Sequence, residues 1–410
     1  MLNWAQAFST FCFLDNHRYP TGPHAVECLL AAGVKRQLSV PAGQALQSLQ
    51  SFLGEKKSWL FGHLGYDLKN ETEALSSGHP DQIQFPDLFF FEPEILVRLT
   101  AGQLIIEARD PEAVYRAILE QPEQQAGNTT GPLTVQSRFN RETYLSVIRE
   151  LQQRILRGDC YEINFCQEFF AEGAVIDPLQ VYKKLSAESP NPFSGFYRVE
   201  DKWLICASPE RFIKRTGNKI ISQPIKGTAP RIRHDEKADQ ENKQGLYQSA
   251  KERAENVMVV DLVRNDLSRV CREGSVQVDE LYGIYTFPQV YQMISTVSGE
   301  LEDGTSFADI IRAVFPMGSM TGAPKKSVMQ LIEQYERTRR GIFSGALGYI
   351  SPEGDFDFNV VIRSILYNAT NQYVSVGAGS AITHYSQAES EWEECQLKVA
   401  AIKKVLGAIE

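Results

Sequence analysis

No stretch of this chain approaches the roughly 18 uninterrupted apolar residues that a membrane span needs, although 43% of its 410 residues are hydrophobic. A membrane partner is therefore not expected. The 7 cysteines, Cys12, Cys28, Cys160, Cys166, Cys206, Cys271 and Cys395, are odd in number, scattered, and nowhere form a Cys-x-x-Cys pair. With only 6 histidines beside them, neither a disulfide framework nor a zinc site is indicated. Basic charge is short as well: 42 Lys and Arg stand against 51 Asp and Glu, a formal charge of −9. A nucleic-acid surface would need a basic stripe, so no nucleic-acid partner is expected. Residues 1–14 carry no basic leader and no small-residue cleavage pattern, and the chain reads as cytoplasmic.

The length allows two or three average domains or a single large mixed α/β unit. Residues 1–110 are strand-rich and broken by turns, and the polar, aperiodic residues 121–132 read as a linker. The expected parts are thus 1–132 and 133–410. In the second part Asn140 can cap a helix whose Tyr144, Ile148, Leu151 and Ile155 recur at helical spacing until Gly158 stops it. Residues 203–213 and 219–225 flank Thr216-Gly217-Asn218, where Gly and Asn tolerate the positive φ of a tight hairpin. That hairpin would set Glu210 opposite position 225, beside Lys226. A second hairpin is expected from residues 342–350 and 356–367 around Pro352-Glu353-Gly354-Asp355.

Lys226 lies in Pro224-Ile-Lys-Gly-Thr-Ala-Pro-Arg231, delivered by the strand-like residues 219–225. Gly227 removes the side chain beside it, and Pro224 and Pro230 stiffen its flanks. Taken alone it would be a surface lysine after a strand. Two glutamate pairs, Glu252 with Glu255 and Glu391 with Glu394, lie in helix-like segments, and a spacing of three puts each pair on one face. Such hard oxygen donors suit Mg²⁺, which takes one or two protein carboxylates and fills its other positions with water and substrate oxygens. They also suit solvated helix faces, since Lys251 with Glu255 and Glu394 with Lys398 are i,i+4 pairs. Arg363 interrupts the apolar run Phe358-Asn-Val-Val-Ile-Arg-Ser-Ile-Leu366. It needs a carboxylate partner, either a nearby Asp or a ligand.

Taken in order, Ser208-Pro-Glu-Arg-Phe212, the Lys226 octapeptide, the Glu252-Arg-Ala-Glu-Asn256 helix, Gly345-Ala-Leu-Gly-Tyr349 and Glu391-Trp-Glu-Glu-Cys395 resemble the motifs of the chorismate-utilising enzymes. The lysine resembles the aminodeoxychorismate synthase component I branch; the anthranilate and isochorismate branches carry alanine there. The resemblance implies an α+β fold of large antiparallel sheets flanked by helices. It implies chorismate and ammonia as substrates and 4-amino-4-deoxychorismate, leading to p-aminobenzoate and folate, as product. Lys226 would be the nucleophile and Glu210 the general acid. Glu255 and Glu394 would ligate Mg²⁺, with Glu252 and Glu391 supporting through water. Arg363 and a glycine loop, Gly377 to Thr383 including Gly379, would hold a substrate carboxylate, and Gln292 and Thr228 would line the same site.

Departures from the pattern qualify this picture. Gln292 stands where the family usually has histidine, and it cannot exchange a proton near neutral pH. Phe343 replaces a tyrosine of several relatives. Glu162 stands where isochorismate and salicylate synthases use a lysine to activate water, which disfavours water as nucleophile. Lys226 must be neutral to attack, so desolvation is expected to lower its pKa, against carboxylates that would raise it. No cysteine sits in a Gly-x-Cys-x-Gly elbow, so ammonia is expected from a separate glutamine amidotransferase subunit. Anthranilate synthase component I and a non-catalytic chorismate-binding paralogue remain the alternatives.

Overall fold

The computed structural model describes residues 1–19, 28–100, 102–122 and 133–408. Most of the expected linker, residues 123–132, lies outside them. Strand Leu88–Glu92 shows how the sequence dictates the layers. Successive side chains of a strand point to opposite faces, and here Phe89 and Phe91 enter a core between two sheets while Leu88 and Phe90 enter a core under helices. Both faces are covered, so the strand reads Leu-Phe-Phe-Phe without a polar break. Among the described residues the sheets have eleven and ten strands, all neighbours antiparallel. Helices Ala45–Glu55, Ala250–Ser268 and Phe307–Val314 cover the outer face of the smaller sheet. Helices Arg141–Leu156, Pro178–Glu188 and Ala388–Leu406 cover that of the larger. This is the α+β arrangement that the resemblance implied. Strands before residue 110 extend both sheets: Thr10–Asp15 pairs with Phe193–Val199 in the larger, and Leu60–Leu64 with Ala346–Ile350 in the smaller. Among the described residues no helix is long and apolar enough to cross a membrane.

The helix capped by Asn140 forms as expected: the Asn140 side chain accepts the Thr143 N–H at 2.9 Å, and Gly158 follows the helix at φ +85. Both hairpin turns also form, with Thr216 opposite Lys219 and Gly348 opposite Phe358. Their outer arms, however, do not stay in one sheet. Strand Lys202–Ser208 pairs with Ser364–Asn368 in the larger sheet, and strand Arg211–Thr216 pairs with Phe356–Asn359 in the smaller. Two paired chains therefore cross together from one sheet to the other. They are tied at the crossing by Val360 N–H to Glu210 O at 3.0 Å and Ala207 N–H to Arg363 O at 3.3 Å. Arg363 accordingly sits between strands, at φ +52, rather than within the single apolar strand that the sequence suggested. Apolar runs on both sides of a crossing look continuous in sequence because both sheets are buried.

Candidate active site

Lys226 lies inside a separate strand, Ile225–Pro230, rather than just after one ending at residue 225: the delivering strand ends at Gln223. Strands Lys219–Gln223 and Ile225–Pro230 pair in turn with Val290–Glu300, interrupted at Pro224, which has no N–H to donate. A register shift between Ile225 and Thr228 re-aims the chain at Lys226, and Gly227 adopts φ +98. A Cβ at Gly227 would stand 3.0 Å from Glu252 Oε2, so glycine lets that carboxylate close over the strand. The Lys226 side chain is 11% exposed and its Nζ donates to Glu162 Oε1 at 2.9 Å; Glu162 is 3% exposed. Desolvation pulls the lysine pKa down, but the charges of Glu162, Glu255 and Glu210 outweigh it and hold the pKa above its ordinary value. The expected net fall is therefore not found. Three carboxylates around one ammonium stabilise its charge more than burial penalises it.

Glu210 sits at the crossing and is 4% exposed. Burial pushes its carboxyl up to about 7, against the Ser319 hydroxyl, the Lys226 charge and the Ile225 N–H, which pull it down. Ser319 Oγ donates to Glu210 Oε1 at 2.7 Å. A carboxyl with this pKa is available as an acid near neutrality. Ser319 was not singled out from sequence; its only signal is the dense Gly and Pro content of Pro316-Met-Gly-Ser-Met-Thr-Gly-Ala-Pro324, which reads as turn rather than site.

The two glutamate pairs lie on helices Ala250–Ser268 and Ala388–Leu406, as their spacing implied. The helices converge on the lysine: Lys251 is raised by Glu255, Glu391, Glu252 and Glu394, against desolvation, and Glu394 senses Lys226. Burial, aided by Glu252 and Glu162, pushes Glu255 up to about 7 against Lys226 and Lys251. Burial also raises Glu252, with Glu394 adding and Lys251 opposing. Glu394 moves the other way, because Lys398, Lys251 and Lys226 outweigh its burial. Both i,i+4 pairs form, Lys398 to Glu394 at 2.6 Å and Lys251 to Glu255 at 3.8 Å. Even so, Glu255 Oε1 is buried without a hydrogen bond, and Glu391 is 2% exposed. Among the described residues no three His, Cys, Asp or Glu form a complete metal cage. The donor set instead fits an ion that takes one or two carboxylates and completes its shell from water and substrate.

Arg363 forms no ion pair among the described residues, and no local Asp claims it. Desolvation lowers its pKa and the Glu394 charge acts against this. Gly377 and Gly379 are not in a loop but in strand Tyr373–Ile382, paired with Glu162–Ala171 along most of its length. On the other edge its partner Ser364–Asn368 pairs only with Tyr373, Val374 and Ser375. Among the described residues no strand pairs with that edge beyond Ser375, beside the Arg363 crossing. The glycines also serve packing: a Cβ at Gly377 would strike the Phe343 ring at 2.5 Å, and one at Gly379 the Phe165 carbonyl oxygen at 2.3 Å. Lys398 Nζ donates to Gly379 O at 2.6 Å. Gln292 is 5% exposed with its Oε1 unpartnered, and faces Thr228 across the strand pair. Thr383 follows the strand and its N–H is used by Ser386 Oγ at 3.1 Å. Among the described residues no hydrogen bond joins it to Lys226.

Comparison with known proteins finds the model of the chorismate binding enzymes matching residues 24–404. The chain is 36% identical to the aminodeoxychorismate synthase component 1 of Escherichia coli over 349 residues, covering 84% of this chain and 76% of that one. It is 32% identical to the anthranilate synthase component 1 of Thermus thermophilus, covering 85% and 77%. Among solved structures, anthranilate synthase component I from Streptococcus pneumoniae superimposes with a TM-score of 0.81 at 26% identity, covering 93% of each chain. The menaquinone-specific isochorismate synthase from Escherichia coli shares the fold, with a TM-score of 0.78 at 17% identity.

Proposed function

The chain belongs to the chorismate binding enzymes, and from that premise we propose that it converts chorismate and ammonia to 4-amino-4-deoxychorismate, toward p-aminobenzoate and folate. The observation that carries this reading is a buried lysine, Lys226, set among carboxylates of which Glu210 is tuned to donate a proton near pH 7. The named function of several relatives, aminodeoxychorismate synthase component 1, agrees with it.

In this mechanism Lys226 Nζ attacks C2 of chorismate, and Glu210 protonates the departing C4 hydroxyl, which leaves as water. Ammonia then attacks C4, the lysine leaves C2, and the enolpyruvyl group is retained. Covalent catalysis of this kind divides one displacement of a poor leaving group into two easier steps. Arg363 and the open strand edge beside it hold a substrate carboxylate, and Gln292 offers an unpartnered acceptor to a substrate hydroxyl. Glu255 and Glu394 would hold Mg²⁺, displacing Lys251 and Lys398 from them, with Glu252 and Glu391 behind. The ion would supply an anchor for the ring carboxylate and neutralise its charge. Ammonia would come from a separate glutamine amidotransferase partner, consistent with relatives named as a component 1.

A second reading, anthranilate synthesis, is favoured by the relatives and solved structure of that name. Intact-protein mass spectrometry with chorismate and Mg²⁺, ammonium withheld, separates the two. The first reading expects an adduct of chorismate less water on Lys226, absent in Lys226→Ala, whose kcat falls far more than its KM. Absence of the adduct, together with 4-amino-4-deoxychorismate made by Lys226→Ala at near the unmodified rate, removes the lysine from the mechanism.

A further inference from the structure

An ammonium has no lone pair, so Lys226 must pass on a proton before it can attack. The charged groups facing it come from every side. Glu162 lies on strand Glu162–Ala171, Glu255 on helix Ala250–Ser268 and Glu210 at the sheet crossing, with Glu252 and Glu394 further off. Among the described residues only Glu162 has a carboxylate oxygen in hydrogen-bond reach of Nζ, at 2.9 Å. Its other oxygen, Oε2, is buried and has no partner.

The backbone of Glu162 is also held firmly. Tyr161 N–H donates to Ala323 O and Asn164 N–H to Thr321 O, both at 2.7 Å, and Ala323 pairs with Glu162. Gly322, at φ +138, comes so close that a Cβ there would stand 2.1 Å from Glu162 O.

We propose that Glu162 is the base that takes the Lys226 proton and later returns it, an inference that rests on Lys226 being the nucleophile. The proton passes from Nζ to Glu162 Oε1, and the freed lone pair forms the Nζ–C2 bond. The ring double bonds shift from C1=C2 and C5=C6 to C1=C6 and C4=C5 as the C4–O bond breaks, and the Glu210 proton completes the departing water. When ammonia adds at C4 the double bonds shift back and Nζ leaves with its electron pair. The new C4 ammonium gives one proton to Glu210, Glu162 returns its own to Nζ, and every group regains its starting charge.

The test is the rate of adduct formation on Lys226 with chorismate and Mg²⁺ and without ammonium, in the unmodified protein, Glu162→Gln and Glu162→Asp, at pH 7 and pH 9. Glutamine keeps the size and the acceptor oxygen but cannot take a proton. The expected result is an adduct formed about a hundredfold more slowly in Glu162→Gln at pH 7, a smaller deficit at pH 9 and partial recovery in Glu162→Asp. Chorismate affinity measured on the same samples should stay close to the unmodified value, showing that the site is folded. If Glu162→Gln forms the adduct as fast as the unmodified protein, or faster, Glu162 only holds the ammonium in its protonated form and is not the base. A slower Glu162→Asp than Glu162→Gln also overturns the proposal. If the unmodified protein itself forms no adduct, the lysine reading falls and this inference falls with it.

Discussion

Glu210 is the residue whose environment sets an observable pH dependence. Burial lifts its pKa to about 7, and the acid is useful only while protonated. kcat/KM, which reports the free enzyme, should therefore fall as pH rises through about 7, at saturating Mg²⁺ so that the titration of Glu255 is suppressed. The Ser319 hydroxyl favours the ionised carboxylate, so Ser319→Ala should raise the Glu210 pKa and move this alkaline limb to higher pH. An unmoved limb would assign it to another group. The same sign governs stability: a raised carboxyl pKa favours folding while protonated, and that contribution is lost as pH rises through about 7. At this scale the sequence was generous with residue types and silent on partners. Lys226, Glu210 and the four helical glutamates were legible from motif and spacing. The Glu162 contact and the Ser319 hydrogen bond were not, because each joins positions more than sixty residues apart.

Two helices bring the glutamates to the lysine, and a spacing of three residues was enough to read them as faces. Glu255→Gln and Glu394→Gln should each raise the Mg²⁺ concentration needed for half-maximal activity, about tenfold or more, with the circular dichroism spectrum unchanged. Near-normal Mg²⁺ response in both would make them ordinary helix charges paired with Lys251 and Lys398. Strands were harder to read than helices. The hairpin turns were legible from Gly and Asn, but the sheet to which each arm belongs was not. Residues 203–208 are almost wholly apolar and residues 211–216 set Phe212 and Ile213 among Arg211, Lys214 and Arg215, a contrast that does not say which sheet each joins. Gly377 and Gly379 looked like a loop because glycine often marks one, whereas they lie in a strand where the Phe343 ring and the Phe165 carbonyl leave no room for a side chain.

The whole molecule is stabilised by apolar layers that lie on either side of the site. Phe90 is fully buried under the helices of the smaller sheet, with Phe307 and Phe358 at ring-centroid distances of 6.2 and 6.1 Å. Phe90→Ala should cost about 3–5 kcal/mol of stability, measured by reversible denaturant unfolding, with KM for chorismate unchanged in the folded fraction. A cost below about 1 kcal/mol would mean that the layer collapses around the gap. The isolated chain should use ammonium but not glutamine as its nitrogen source, since no cysteine stands in an amidotransferase elbow. Glutamine-dependent turnover by the pure protein would contradict this. The α+β class was legible in the family motifs. The interleaving of early strands into both sheets was not, because pairings such as Leu60–Leu64 with Ala346–Ile350 leave no local trace.

One short span, Gly318 to Ala323, touches both ends of the proposed proton transfers: Ser319 holds Glu210, and Thr321 to Ala323 clamp the strand that carries Glu162. It acts as the frame of a calliper. A shift of the whole frame would carry both jaws together, which favours an unchanged opening between Glu210 and Glu162.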